Sequence, residues 1–308
     1  MNETKIQPIR YVFAITVVVV AAILAVGIYV KAKKPLAQSH RTYSLNLMDT
    51  TAFNPNEPAN LKFDIIDENK AVLKDFDTVH EKLLHLIVVR KDRTNFQHVH
   101  PEIDSATGTF RLSGFKFPTD GQYRIFADFT PLDAQKDPTG TKLAVTPYQD
   151  VKVGSGAFTP QVLASDKLSS SANGLNTNVF FPPSDDSPGG GLLNKLYAGA
   201  DSSVNIKFTK NGAPFTNLES YLGALGHMVV LGPNLEFIHA HPLSSDINNQ
   251  SGLVTFMVNF PTPGRYTVYL QTQAAGQVDT TDYALSVLPN PASSSKTDSS
   301  TRSMDMNK

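Results

Sequence analysis

Short runs in which apolar and polar residues alternate follow one another along most of the chain beyond residue 42. Such alternation, broken by turn-forming residues, is typical of β-strands that bury one face. The clearest early runs are Tyr43–Met48, Leu61–Ile66, His85–Val89 and Tyr123–Ala127. A later set in the same order is Leu175–Phe181, Val204–Phe208, His227–Leu231 and Tyr266–Leu270. The pattern predicts an all-β protein.

Two segments of the chain occur twice. HLIVVRKDRTNFQHVHP (His85–Pro101) matches HMVVLGPNLEFIHAHP (His227–Pro242), and FKFPTDGQYRIF (Phe115–Phe126) matches VNFPTPGRYTVY (Val258–Tyr269). We therefore interpret the chain as two copies of one unit. Strands of this number and length favour two tandem antiparallel immunoglobulin-like β-sandwich domains, and a small barrel is the alternative.

The repeat divides the 308 residues into five segments. Small polar residues dominate the stretch between the copies, and the end of the chain lacks the apolar residues that would offset chain entropy. The predicted organisation is an anchor at 1–34, a first β-sandwich repeat at 35–153, a linker at 154–174, a second repeat at 175–289 and a disordered tail at 290–308.

An uncharged stretch near the start is long enough to cross a membrane. Tyr11–Val30 has no charged residue, and as a helix it would span about 30 Å. A cleavable signal peptide has a shorter apolar stretch, so we expect one uncleaved transmembrane helix. Basic residues on both sides leave the orientation open. The strand-rich remainder favours a cell-membrane protein with its C-terminal domains outside the cytoplasm; a tethered cytosolic domain is the alternative.

The amino-acid composition excludes several classes of partner and site. The net charge is -1, which gives no basic excess for a phosphate backbone, so no nucleic-acid partner is expected. The chain has no cysteine, and this excludes disulfides, thiolate metal sites and a cysteine nucleophile. A metal ion must therefore be held by nitrogen, oxygen or thioether ligands.

Seven of the eight histidines fall into two groups. His98 and His100 are two residues apart, so in a strand their side chains share a face. Suppose that residues 85–100 form a hairpin in which the numbers of each opposed pair of residues add up to 185. His85 then faces His100, and three imidazoles converge. His227, His239 and His241 repeat the pattern with a connection one residue shorter, which leaves the register of at least one copy open.

Three imidazoles on one face suit Cu(II), Zn(II) or Ni(II), and the stability order favours copper. We therefore predict a copper cofactor, most simply Cu(II) with Zn(II) as the alternative. His80, Glu81 and Asp128 are additional candidate ligands, whereas the second copy has no such donors at the matching places. These extra donors lead us to expect tighter binding in the first copy. Met228, beside His227, is expected in the core.

The residues His85–Asp92, Phe96–Pro101 and Gly121–Phe129 resemble the YtkA-like and copper-resistance-type β-sandwich domains of bacterial secreted or membrane-anchored proteins. The resemblance covers roughly residues 42–153 and, more loosely, 175–288. It implies an immunoglobulin-like fold outside the cytoplasm and heavy-metal or copper binding. His85, His98 and His100 carry over individually, while the second copy lacks the Ala-Asp-Phe run.

These observations favour a membrane-anchored, extracytoplasmic metal-binding protein with a copper buffering, chaperone or resistance role. Such a role implies three partners: the membrane, the metal ion and a membrane copper transporter. A structural or adhesive β-sandwich without metal is the alternative. A metal-dependent hydrolase is less favoured, because the sequence has no recurring general base and no hydrolase motif. We therefore expect no enzymatic activity.

Overall fold

The computed structural model describes residues 41–48, 52–162, 165–181, 195–243 and 251–291. These residues form eighteen strands, which confirms the predicted all-β class. The first half contains β1 (Tyr43–Leu47), β2 (Ala59–Asp67), β3 (His85–Arg90), β4 (Gln97–Val99), β5 (Glu102–Asp104), β6 (Thr109–Phe115), β7 (Gly121–Asp128) and β8 (Tyr148–Val153). The second half contains β9 (Ser169–Ala172), β10 (Leu175–Phe180), β11 (Leu196–Tyr197), β12 (Asp201–Lys210), β13 (Ala213–Pro214), β14 (His227–Leu231), β15 (Phe237–Ala240), β16 (Leu253–Asn259), β17 (Gly264–Ala274) and β18 (Gln277–Leu288).

The strands of each half form two sheets rather than one closed barrel. The first half has the sheets β1-β2-β6-β5 and β4-β3-β7-β8. The second half has β13-β12-β10-β9, with β16 also pairing with β12, and β11-β18-β17-β14-β15. Named strands in the described residues pair antiparallel except β11 and β18, which are parallel. The immunoglobulin-like assignment stays a prediction.

Each half buries its own core between its two sheets. Phe63 and Phe110 from one sheet and Tyr123 and Ile125 from the other belong to the core of the first half. In the second half Met228, predicted as a core residue, is fully buried with residues of both sheets. Apolar burial of this kind is the main favourable contribution to folding.

Strands β3 and β14 are buried on both faces, and this explains their nearly continuous apolar sequences. Leu86 and Val88 point into the core of the first half. Ile87 and Val89, on the opposite face, pack in a third apolar cluster with Val229 and others from the second half. This third cluster therefore lies between the two halves.

The contact between the halves is reciprocal. Phe96 stacks on Tyr269 with ring centroids 4.2 Å apart, and Phe126 packs on Phe237 at 5.0 Å. Phe96 and Phe237 occupy matching places in the sequence repeat, as do Phe126 and Tyr269. The same patch of each half is therefore used against the other, as in a two-fold symmetric dimer.

The hairpins β3-β4 and β14-β15 have the same register. Ile87 pairs with His98, so opposed positions sum to 185 as predicted. Val229 pairs with His239 in the same way. The first connection takes up its extra residue at Asn95, whose φ is 54°, just before the strand resumes. A bulge therefore preserves the register that the difference in length had left open.

The predicted linker and the predicted membrane span have different outcomes. Part of the predicted linker forms β9, which pairs with β10 through Ser169–Ala172. A run of serines has no apolar face, so its hydropathy does not reveal a strand held by backbone hydrogen bonds. The predicted span Tyr11–Val30 lies outside the described residues, as does most of the predicted tail. Within the described residues, no helix has the length and apolarity needed to cross a membrane.

Candidate metal centre

The first histidine triad forms where hairpin β3-β4 opens. His85 begins β3, His98 lies within β4, and His100 follows β4 on the same face. The Nδ1 atom of His85 lies 3.0 Å from Nε2 of His98 and 3.1 Å from Nε2 of His100. The predicted convergence of these three imidazoles is present in the structure.

Hydrogen bonds behind two of these rings decide which nitrogens keep a lone pair. The Nε2 atom of His85 donates to the carbonyl oxygen of Val79 at 3.1 Å, so Nδ1 of the neutral ring is unprotonated. The Nδ1 atom of His98 donates to Oε1 of Gln271 at 2.7 Å, so Nε2 is unprotonated. Two lone pairs thus face each other at 3.0 Å. A cation placed between them would replace this repulsion with two ligand bonds.

The second triad repeats the first atom by atom. The Nε2 atom of His227 donates to the carbonyl oxygen of Tyr221 at 2.9 Å, as His85 does to Val79. His239 donates through Nδ1, as His98 does. Among the described residues, the atoms His227 Nδ1, His239 Nε2 and His241 Nε2 are buried and have no hydrogen-bond partner. Buried polar atoms nearly always have a partner, so three such nitrogens converging at one point fit a bound cation.

Both triads fit a metal ion. In each, one nitrogen from every histidine lies within 4.8 Å of the other two. Imidazole nitrogens bind Zn(II) at about 2.0–2.1 Å, so two ligands of one ion lie about 3 Å apart. The nitrogen separations around His85 match this spacing. Each group of three histidines can therefore hold one ion.

The two triads lie next to each other across the contact between the halves. The ring centroid of His85 is 5.4 Å from that of His239 and 6.4 Å from that of His227. His98 is 6.0 Å from His239 by the same measure. The sequence predicts one triad in each copy but not their contact. Together they form a six-histidine centre, which we call the paired triads.

The middle histidine of each triad is oriented by a residue from the other half. His98 donates to Gln271 at 2.7 Å, and His239 donates to Oδ2 of Asp128 at 2.7 Å. Asp128 was a candidate ligand for the first triad; the structure places it behind a histidine of the second. Such outer hydrogen bonds fix the tautomer and orientation of a ligating imidazole.

His80 and Glu81, the other candidate ligands, lie in a tight turn with φ values of 49° and 63°. The ring of His80 stacks on His241 of the second triad, with centroids 3.6 Å apart. The carboxylate of Glu81 lies near Gly223, at the matching turn of the second half. Neither residue belongs to a group of three donors in the described residues. His80 thus lies closer to the second triad than to His85 of the first, whose ring centroid is 6.4 Å away.

Burial keeps the histidines neutral. Desolvation lowers the pKa of His100 to about 3, that of His227 to about 4 and that of His241 to about 2. It also lowers the pKa of His80, His85, His98 and His239, mutual repulsion adding to it in the triads. Burial raises the pKa of Asp128, against a hydrogen bond from Thr146 that lowers it. Neutral imidazoles can bind a cation at neutral pH without releasing protons.

A groove of about 450 Å³ opens beside the first triad. His100 lines it together with Glu81, Lys82 and Glu102. The charge of Lys82 helps to lower the pKa of His85 and His100, so its ammonium group acts on the triad. The first triad therefore borders this groove through His100.

Sequence reasoning missed Gln271 as an orienting residue. Gln271 pairs with His227 in the sheet as Asp128 pairs with His85. That equivalence is visible in the repeat, because the two residues hold matching places in β17 and β7. What the sequence does not contain is the contact that turns each of them toward the opposite half.

Comparisons with known proteins give a family and no function. The family described as a domain of unknown function (DUF8832) matches residues 38–141 and 190–288, more than half of the chain. A search of curated proteins found no match. The comparisons show no YtkA-like or copper-resistance family, and that likeness stays a resemblance.

Similar solved structures include the PmoD soluble domain from Methylocystis sp., with 11% identity over 39% of this chain and 97% of that chain, and a TM-score of 0.28. Escherichia coli alpha-2-macroglobulin matches at 13% identity over 81% of this chain and 20% of that chain, with a TM-score of 0.23. A marsupial T cell receptor matches at 9% identity over 79% of this chain and 95% of that chain, with a TM-score of 0.24. Likenesses this distant carry no argument about function.

Proposed function

We propose that this chain, which belongs to the DUF8832 family, is a copper-binding protein that holds one ion in each of its paired triads. One observation carries the proposal. The nitrogens His227 Nδ1, His239 Nε2 and His241 Nε2 are buried, converge and have no hydrogen-bond partner in the part of the chain that the structure describes. Burying polar atoms unsatisfied costs about 1–3 kcal/mol each, and a bound cation would remove that cost.

The donor set supports copper over other divalent ions. Imidazole is a borderline donor that suits copper, zinc and nickel, and the general stability order places Cu(II) highest. The ligands are three neutral nitrogens per site, with no thiolate in the chain to favour another metal. Zn(II) is the alternative occupant, since three histidines with a fourth open position also suit zinc.

The proposed function is metal binding without catalysis, because neither nearby carboxylate is placed as a general base among the triad donors. Asp128 accepts hydrogen bonds from Thr146 and His239, and Glu81 is exposed in the groove beside His100 and is not among the donors of either triad. A hydrolase would need a carboxylate free to act as general base. The alternative of a structural or adhesive module predicts that replacing His98 and His100 together leaves every interaction of the protein intact.

The cellular role proposed is copper buffering, delivery or resistance outside the cytoplasm. The basis is the uncharged stretch Tyr11–Val30, which would tether immunoglobulin-like domains to the membrane beside a copper transporter. Protease added to intact cells should then degrade the C-terminal domains while leaving the first residues protected. Protection of the whole chain would contradict this location.

The binding proposal is tested with the purified full chain after chelator treatment. Titration with Cu(II) should reach two equivalents and produce a paramagnetic resonance spectrum with imidazole nitrogen hyperfine structure. Copper at 100 times its dissociation constant should add about 2.7 kcal/mol to the free energy of unfolding and raise the melting temperature. If Cu(II) and Zn(II) both leave the melting temperature and the histidine NMR signals unchanged, the proposal is wrong.

A further inference from the structure

Asp128 and Gln271 hold equivalent positions but differ in charge. Asp128 pairs with His85 across the sheet, and Gln271 pairs with His227. Each then crosses the contact between the halves and accepts a hydrogen bond from the middle histidine of the opposite triad. The second triad is therefore backed by a carboxylate and the first by a neutral amide.

Neighbouring hydroxyl groups hold both acceptors in place. Thr146 Oγ1 donates to Oδ1 of Asp128 at 2.9 Å, which leaves Oδ2 for His239. The Nε2 atom of Gln271 donates to Thr280 Oγ1 at 3.2 Å, which turns its Oε1 toward His98. Asp128 and Gln271 are both buried, at 8% exposure each, so bulk water does not compete for these contacts.

We infer that Asp128 and Gln271 are positioning residues that rank the two metal sites, so that the second triad binds the first divalent ion and the first triad the next. The inference rests on the proposed metal-binding function. A carboxylate behind a ligating imidazole makes the ring a stronger donor and balances the charge of the ion, whereas an amide only orients it. This reverses the ranking expected from sequence, where Asp128 counts toward the first copy.

The short distance between the triads increases the difference in affinity between the two sites. Their rings approach to 5.4 Å between His85 and His239, so an ion in the second triad repels one arriving in the first. In the described residues a carboxylate accepts a hydrogen bond from a ligand of the second triad, whereas the amide of Gln271 holds that place in the first. Occupancy should therefore proceed in two separate steps rather than one.

The test is a stepwise titration of the full chain with Zn(II), which is diamagnetic, followed by NMR of the assigned histidine rings. The signals of His227, His239 and His241 should saturate before those of His85, His98 and His100. Asp128→Asn should weaken the tighter site about 10–100-fold, the range typical of outer hydrogen-bond partners. Gln271→Glu should strengthen the first triad and reduce or remove the separation between the steps.

Asp150→Asn is the matched control, because Asp150 is a carboxylate that pairs with Lys91 and Arg124 away from the triads. It should leave both steps unchanged. Binding of two ions in the opposite order, or an order and affinities unchanged by Asp128→Asn and Gln271→Glu, would overturn this inference while leaving the binding function intact. Failure of the unaltered chain to bind Zn(II) or Cu(II) at all would instead overturn the proposed function.

Discussion

Phe96 lies flat against Tyr269, with the two rings only 9° from parallel. One ring belongs to the hairpin that carries His98, and the other to the strand that carries Gln271. The hydroxyl of Tyr269 also donates to the carbonyl oxygen of Arg93 at 2.5 Å. The apolar contact and the hydrogen bonds around the paired triads are thus built on the same two elements. Stability of this contact should therefore govern whether the middle histidine of each triad keeps its hydrogen-bond partner in the opposite half.

The stacked pair gives a direct measure of the contact between the halves. Phe96→Ala should lower the free energy of unfolding by about 2 kcal/mol, less than a fully buried phenylalanine because the ring is partly exposed. A double-mutant cycle with Tyr269→Ala should give a coupling energy of about 0.5–1.5 kcal/mol. Urea denaturation measures both quantities. The control is Phe208→Leu, in the separate core of the second half. The losses in free energy of unfolding from Phe96→Ala and Phe208→Leu should add in the double variant within about 0.5 kcal/mol.

Replacing two histidines of one triad should reduce the bound metal by one ion per chain. His98→Ala with His100→Ala leaves the second triad whole, so the bound metal should fall from two ions to one per chain. His239→Ala with His241→Ala leaves the first triad whole, so the bound metal should again fall from two ions to one per chain. Metal content after gel filtration decides the result. His40→Ala, which changes the histidine outside both groups, should keep two ions; loss of metal in that variant would contradict the assignment.

Acid should destabilise the metal-free protein. An unfolded histidine has a pKa of about 6.5, whereas burial lowers the pKa of His100 to about 3 and that of His241 to about 2 in the folded state. Below about pH 6.5 the unfolded chain therefore binds more protons than the folded chain, and stability falls as the pH falls. Asp128, whose raised pKa acts in the opposite direction, is one group against seven histidines.

Thermal melts in chelator at pH 7.5 and pH 5.0 measure this effect. The melting temperature should be lower at pH 5.0. Replacing His241 by Phe should reduce the difference, because one group that gains a proton on unfolding is gone. A melting temperature that rises on acidification would show that the histidines are charged in the folded protein.

The groove beside the first triad predicts an effect on the rate of binding. Lys82 lines the groove, and its positive charge repels an approaching cation. Lys82→Gln should raise the association rate constant of the first triad several-fold at low salt, and the gain should shrink at about 1 M salt, where the Debye length is about 3 Å. Stopped-flow measurement of copper binding checks this. Lys167→Gln, which removes a lysine paired with Asp282 on the surface, is the control.

The sequence by itself determined the strands with alternating residues, the repeated order of the motifs and both triads, but not strand β9 in the predicted linker. Alternation of apolar and polar residues fixes which side chains share a face, and positions summing to 185 bring His85 to His98 and His100. These features depend on neighbours along one strand or one hairpin. They can be predicted because the geometry of a hairpin is local.

Only the tertiary structure decided that the triads meet. The apolar faces of β3 and β14 could have been covered by any partner, and no periodicity in the chain states that they cover each other. That packing turned Asp128 from a candidate ligand of its own half into the hydrogen-bond partner of His239. Residues about 110 positions or more apart came into contact through side-chain complementarity between two surfaces, and a pattern read along the chain contains no record of that fit.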